Sequence, residues 1–170
     1  MNNPISNEKL REIQEPLKKS YREDPAAALI TLHARGDLED GISCSVETGR
    51  ALVEAGLHPG TGGDGSLACS GDMLLQALVA CAGVTMRAVA TSMGIAVSGT
   101  VHAEGDLDWR GTLAVDKEAP VGFSSIRLRF SLDSDAEDDE LATLLRLTER
   151  YCVVFQTLSK SPTLLVSRAD

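Results

Sequence analysis

The four cysteines, Cys44, Cys69, Cys81 and Cys152, are the side chains best suited to chemistry in this sequence. A thiolate is a nucleophile and a metal ligand, and two thiols held together can cycle between dithiol and disulfide. Metal binding asks for spacings the chain lacks. No two cysteines stand in C-x₂₋₄-C, and His33, His58 and His102 form neither H-x₃₋₅-H nor H-E-x-x-H, so no metal site is expected. Redox chemistry fits better, because Cys81 falls midway along a predicted buried helix and Cys152 on the inward stripe of another, where the two can meet in a core. A disulfide needs Cα atoms within about 7 Å, and an intact helix rising ~1.5 Å per residue puts Cys69 and Cys81 more than twice that apart. Cys152 is the better partner for Cys81. The plain alternative is that each cysteine serves as a small buried hydrophobe, and Cys44, alternating with Ile42 and Val46, suits that role. Cys69, just ahead of the helix, is a second reactive candidate, since a helix N-terminus stabilises a thiolate.

Gly60, Gly62 and Gly65 match G-x-G-x-x-G. A dinucleotide site also needs a strand immediately before, a helix opening on the loop, and an acid about 20 residues on. Here the predicted helix starts late and Thr85 stands near the acid's place. No Gly-Lys-Ser/Thr follows, which excludes a P-loop. The run reads as a loop bordering a site, and no bound cofactor is expected.

The elements that must position these residues follow from periodicity. Leu10, Ile13, Leu17 and Tyr21 mark a helix over 7–21, weakened by Pro16, in an N-terminal arm of residues 1–26 ended by Asp24-Pro25. Residues 27–34 and 41–46 read as strands about the turn-rich Gly36–Asp40, and 50–54 as a third. Asp72 to Met93 is apolar on several faces, as in a core helix, with Ser70 as N-cap and Gly94 at the C-terminal turn. Two alternating stretches, Val97–Trp109 and Ile126–Leu132, read as half-buried strands. The acidic run Asp133–Glu140 opens a helix whose apolar stripe is Leu141, Leu144, Leu145, Tyr151, Cys152 and Phe155. A last strand is predicted at Thr163–Val166. Strands, long helix, strands, helix, strand is an α+β order, and residues 27–170 read as one domain.

Composition limits the partners. Net charge −9 and pI ≈ 4.8, with no Lys/Arg-rich run, argue against nucleic acid and anionic membrane surfaces. Residues 1–23 contain no apolar stretch of signal-peptide length, so a cytoplasmic protein is expected. In that reducing compartment the cysteines are free thiols or redox catalysts rather than permanent bridges.

The stretch Ser70-Gly71-Asp72-Met73-Leu74-Leu75-Gln76-Ala77-Leu78-Val79-Ala80-Cys81 resembles the helix motif of the OsmC/Ohr family, in which an acidic residue and a Leu/Ala-rich run lead to a cysteine. Glu149-Arg150-Tyr151-Cys152-Val153-Val154-Phe155 is similar to the region of that family's second cysteine, though many relatives read Cys-Pro-Val where this chain reads Cys152-Val153-Val154. The resemblance spans roughly 27–168. It implies an OsmC-like fold, antiparallel sheets packed on a long buried central helix, in an intertwined homodimer. It implies a peroxidase that reduces organic hydroperoxides in oxidative-stress defence, with Cys81 the attacking thiol, Cys152 the resolving thiol, and an external dithiol such as dihydrolipoamide as reductant.

An attacking thiol in apolar surroundings is hard to ionise, so a stabilising cation is expected. By the resemblance Arg35 supplies it and Asp72 assists, with Arg50 and Arg87 as substitutes. Asp72 lies nine residues before Cys81, about 13 Å along a helix and half a turn out of phase, so it acts through an arginine or merely favours the helix dipole. The rival reading is a non-catalytic relative that binds a small ligand or senses redox state.

Overall fold

Turn-forming residues punctuate the first half of the chain, and short strands form between them. The structure, a computed structural model, describes residues 6–9, 12, 14, 23, 35–38, 43–47, 52–114 and 116–168, with only the backbone at 35–38, 43–47 and 52. In order the elements are β1 (Arg35–Leu38), β2 (Ser43–Glu47), β3 (Leu52–Gly56), β4 (Ala68–Cys69), α1 (Ser70–Met93), β5 (Ser98–Asp106), α2 (Trp109–Thr112), β6 (Ser125–Asp133), α3 (Asp138–Tyr151) and α4 (Val153–Ser159). This is an α+β chain with a four-stranded sheet, β1-β2-β3-β4, and a two-stranded sheet, β5-β6. Two compact units divide it: Met1–Gln76 with Ala103–Leu128, and Ala77–His102 with Arg129–Asp170.

In the first unit a hairpin is present, but its first strand, Arg35–Leu38, lies mostly in the predicted turn and not at 27–34. Gly36, Asp37 and Leu38 pair with Val46, Ser45 and Cys44, so three of the five residues of the predicted turn are strand. Cross-strand pairing overrides the turn preference of Gly and Asp here. The third strand follows antiparallel, Glu47 opposite Leu52 and Ser43 opposite Gly56. β4 was not foreseen and pairs parallel to β3, Gly56 opposite Cys69, so the sheet is not wholly antiparallel. Two residues carry no readable period, which is why the sequence does not announce it. Of the arm over 1–26, residues 7–9, 12, 14 and 23 are helical. The rest of the arm and the strand predicted at 27–34 lie outside the described residues.

In the second unit α1 and α3 form the core. Leu78, Ala82, Met86, Val89 and Ala90 recur at helical spacing and are buried. Met86, Val89 and Ala90 cluster with Val97 and the fully buried Leu144, and Phe130, Leu132, Leu141 and Leu145 pack against them. Yet α1 is not buried all round, since Val84 on another face is 72% exposed. Its C-terminus is closed as predicted: Gly94 takes φ +74, its N–H reaches the Thr91 carbonyl at 3.2 Å, and the Ile95 N–H reaches Ala90 at 2.9 Å. Ser70 is the first helical residue rather than the cap.

α3 begins at Asp138, where the Glu140 carboxylate accepts the Glu137 N–H at 3.1 Å and three acids sit in the first turn. Two expectations fail at the far end. The helix breaks at Cys152, leaving Tyr151 58% exposed instead of on the stripe. Thr163–Val166 forms no strand, because none of the described strands pairs with it, and Val166 is 99% exposed. In the first unit β5 ends at Asp106, and Trp109 belongs to α2, where the Asp108 carboxylate caps the first turn by accepting the Arg110 N–H at 3.0 Å.

Candidate active site

Cys81 and Cys152 meet in the second unit. Cys81 is half-buried in the middle of α1, beside the face that carries Leu78 and Ala82. Cys152 is fully buried at the break between α3 and α4. Its backbone is extended, φ −73 and ψ 109, its N–H bonds back to Thr148 at 2.9 Å, and its carbonyl accepts the Gln156 N–H at 2.9 Å. Cys152 Sγ accepts the Phe155 N–H at 3.5 Å, in the manner of a capping hydroxyl, so the thiol satisfies one of the orphan donors that open α4.

The two thiols are pushed apart in acidity. Burial pushes the Cys81 thiol up, but hydrogen bonds from the Val154 N–H, the Cys152 thiol, the Val153 N–H and the Thr85 hydroxyl together bring it below the ordinary thiol value. Cys152 moves the other way. Burial raises it, the Phe155 N–H pulls it back in part, and its donation to Cys81 and the charge on that sulfur raise it further. Cys81 therefore ionises first and Cys152 remains the proton-bearing neighbour.

The demand for a stabilising charge is thus met in part by uncharged donors. Sequence reasoning missed the Val153 and Val154 amides, because only the helix break turns them toward a sulfur. Thr85 was missed as well, although its place one helical turn from Cys81 was a signal that could have found it. Arg35 opens β1 in the first unit and its side chain lies outside the described residues, as does Arg50. The Arg87 guanidinium donates to the Val97 carbonyl. Asp72 is exposed in the first turn of α1, within the first unit, and lines a cavity with His58 and Cys69. Cys44 pairs through its backbone with Leu38 and Ala55. Among the described residues no three His, Cys, Asp or Glu side chains stand together as metal ligands.

Comparison with known proteins follows the same lines. An OsmC-like protein from Mycoplasma pneumoniae superposes with TM-score 0.66 at 15% identity, over 78% of this chain and 89% of that one. A hypothetical protein from Aquifex aeolicus gives 0.59 at 15% identity, over 78% and 90%. An OsmC-like protein of unknown function from Vibrio cholerae gives 0.57 at 15% identity, over 76% and 94%. At such identities the likeness shows the fold alone. No curated protein matches in sequence. The family model described as OsmC-like protein matches residues 63–167, which include both cysteines of the pair. The chain belongs to the OsmC-like family.

Proposed function

We propose that the chain is a two-cysteine thiol peroxidase that reduces organic hydroperoxides with an external dithiol as reductant. The observation that carries this reading is the meeting of two free thiols in the second unit, half-buried Cys81 and fully buried Cys152, with Cys81 drawn toward the thiolate and Cys152 away from it. A peroxidatic thiol attacks as thiolate, and the sulfenic acid it forms is captured by a nearby thiol. The Cys81 thiolate attacks the distal oxygen of ROOH. The S–O bond forms as O–O breaks, and the alcohol leaves with one proton. Cys152 then attacks the Cys81 sulfur, the S–S bond forms, and water leaves with the thiol proton. Two exchanges with a dithiol such as dihydrolipoamide restore both thiols and oxidise the dithiol to its disulfide.

Arg35 as the activating cation and Asp72 as the acid that assists it belong to the proposal by the family resemblance alone. A homodimer is part of the reading. Val84 on α1 and Leu164 and Leu165 near the C-terminus are large apolar side chains left exposed by the single chain, and a second copy would cover them. A reducing cytoplasm would keep both cysteines as thiols between turnovers.

The test is consumption of cumene hydroperoxide with excess dihydrolipoamide. The wild type should turn over, Cys81→Ser should be inert, and Cys152→Ser should react once per chain and stop. A wild type that forms one disulfide and never cycles, with any of several dithiols, would instead assign the pair to sensing.

A further inference from the structure

The unit without Cys81 and Cys152 has a pocket of its own around Cys69. Two cavities of about 240 and 250 Å³ share His58, Cys69, Gly71, Leu107, Trp109 and Phe123 in their walls. The His58 ring stacks on Trp109, centroids 5.0 Å apart and planes 23° from parallel. The ring is held in place because its Nδ1 accepts the Gly60 N–H at 2.9 Å, which assigns the neutral imidazole proton to Nε2.

Two glycines make room for the aromatic walls. A Cβ at Gly60 would stand 2.5 Å from Trp109 Nε1, and one at Gly105 would stand 2.4 Å from the Phe123 ring. The glycine run that begins at Gly60 thus has a use unrelated to phosphate: its first member lets the indole lie against the loop. Cys69 is half-buried in the wall, and its backbone is fixed by the β3–β4 pairing at Gly56.

We propose that this pocket takes small, flat molecules, and that Cys69 captures the soft electrophiles among them, conjugated enones above all. The cavities fall below the roughly 300–1,000 Å³ of drug-sized ligand sites, so the occupant is about one ring with a short substituent. Aromatic walls favour a flat face. In the capture step the Cys69 sulfur lone pair forms an S–C bond to the β-carbon, the alkene electron pair moves to the α-carbon, and the proton released by the thiol is taken up there. Nothing is oxidised or reduced.

The probes are N-phenylmaleimide and N-methylmaleimide, applied to the full wild-type chain with peptide-resolved mass spectrometry. Each rate at Cys69 is divided by that reagent's rate with N-acetylcysteine. The expected result is a normalised preference of at least about tenfold for the phenyl reagent, saturating with concentration. Reversible binding before capture should quench Trp109, the chain's only tryptophan. Trp109→Ala should abolish the preference, and if that variant fails to fold, Leu107→Phe should do so by narrowing the same space. A normalised ratio near one with rates linear in reagent would overturn the proposal, as would a preference that survives both variants. Reactivity at Cys81 and Cys152 is read from separate peptides, so the peroxidase reading is scored independently.

Discussion

Replacing Val153 with proline tests whether backbone amides, rather than side-chain charge alone, set the acidity of Cys81. Val153 is the first residue of α4, where proline's fixed φ suits the helix and its missing N–H breaks no intrahelical bond. The residue before a proline must be extended, and Cys152 already is, at φ −73 and ψ 109. The valine side chain is 70% exposed, so little packing is lost. What is lost is one donor to the Cys81 sulfur. A hydrogen bond to a charged group contributes about 1.5–3 kcal/mol, and ~1.4 kcal/mol is tenfold in an equilibrium constant. Since the Val154 amide, the Cys152 thiol and the Thr85 hydroxyl remain, the low end applies. The ionisation constant of Cys81 should fall roughly tenfold with little change in Tm. The assay is the pH dependence of iodoacetamide alkylation at Cys81, read by peptide mass spectrometry, with thermal melts alongside. An unchanged alkylation profile in a well-folded variant would show that these amides do not hold the thiolate.

Two further outcomes follow from the packing and the surface. Leu144 is fully buried against Met86 and Val89, so Leu144→Ala should cost about 2–5 kcal/mol in urea unfolding; a loss under ~1 kcal/mol would mean the cluster is not the core of its unit. Asp106 is held below its ordinary value of 3.8, chiefly by hydrogen bonds from the Arg127 guanidinium, with desolvation opposing and the ion-pair attraction adding. A depressed carboxyl stabilises the fold above its unfolded value and loses that contribution as pH falls through the folded one. Carbon-13 NMR should place the Asp106 carboxyl below the usual carboxylate range and return it there in Arg127→Gln, whereas identical titrations in both chains would disprove the pairing.

What the sequence made legible was whatever repeats over many residues. The long helix, the paired alternating strands at 98–106 and 125–133, and the Leu141-Leu144-Leu145 stripe all carry a period and are found where it puts them. The apolar spacing of both elements also pointed Cys81 and Cys152 into one core, although Cys152 stands at the break between α3 and α4 and not on a helical stripe. Features fixed by a few residues were not. The two-residue β4 has no period, and the departure of Trp109 from its strand depends on a single Asp108 cap. The break at Cys152 occurs with neither glycine nor proline beside it, so the apolar spacing runs through to Phe155 as though one helix continued.

That break sets the surroundings of the half-buried Cys81 and the buried Cys152. In one continuous helix the Val153 and Val154 amides would bond to the carbonyls of Glu149 and Arg150, four residues earlier, and neither amide would be left for Cys81. Because Cys152 is extended instead, α4 starts afresh and its first amides are orphans. Cys152 Sγ takes the one from Phe155, and the Val154 and Val153 amides are among the groups that draw the Cys81 thiol below its ordinary value. The same irregularity therefore caps the new helix with one sulfur and draws the other toward its anion, which is what the proposed mechanism asks of Cys81. A substitution that healed the break and extended α3 would leave both cysteines buried and deprive Cys81 of its amide donors.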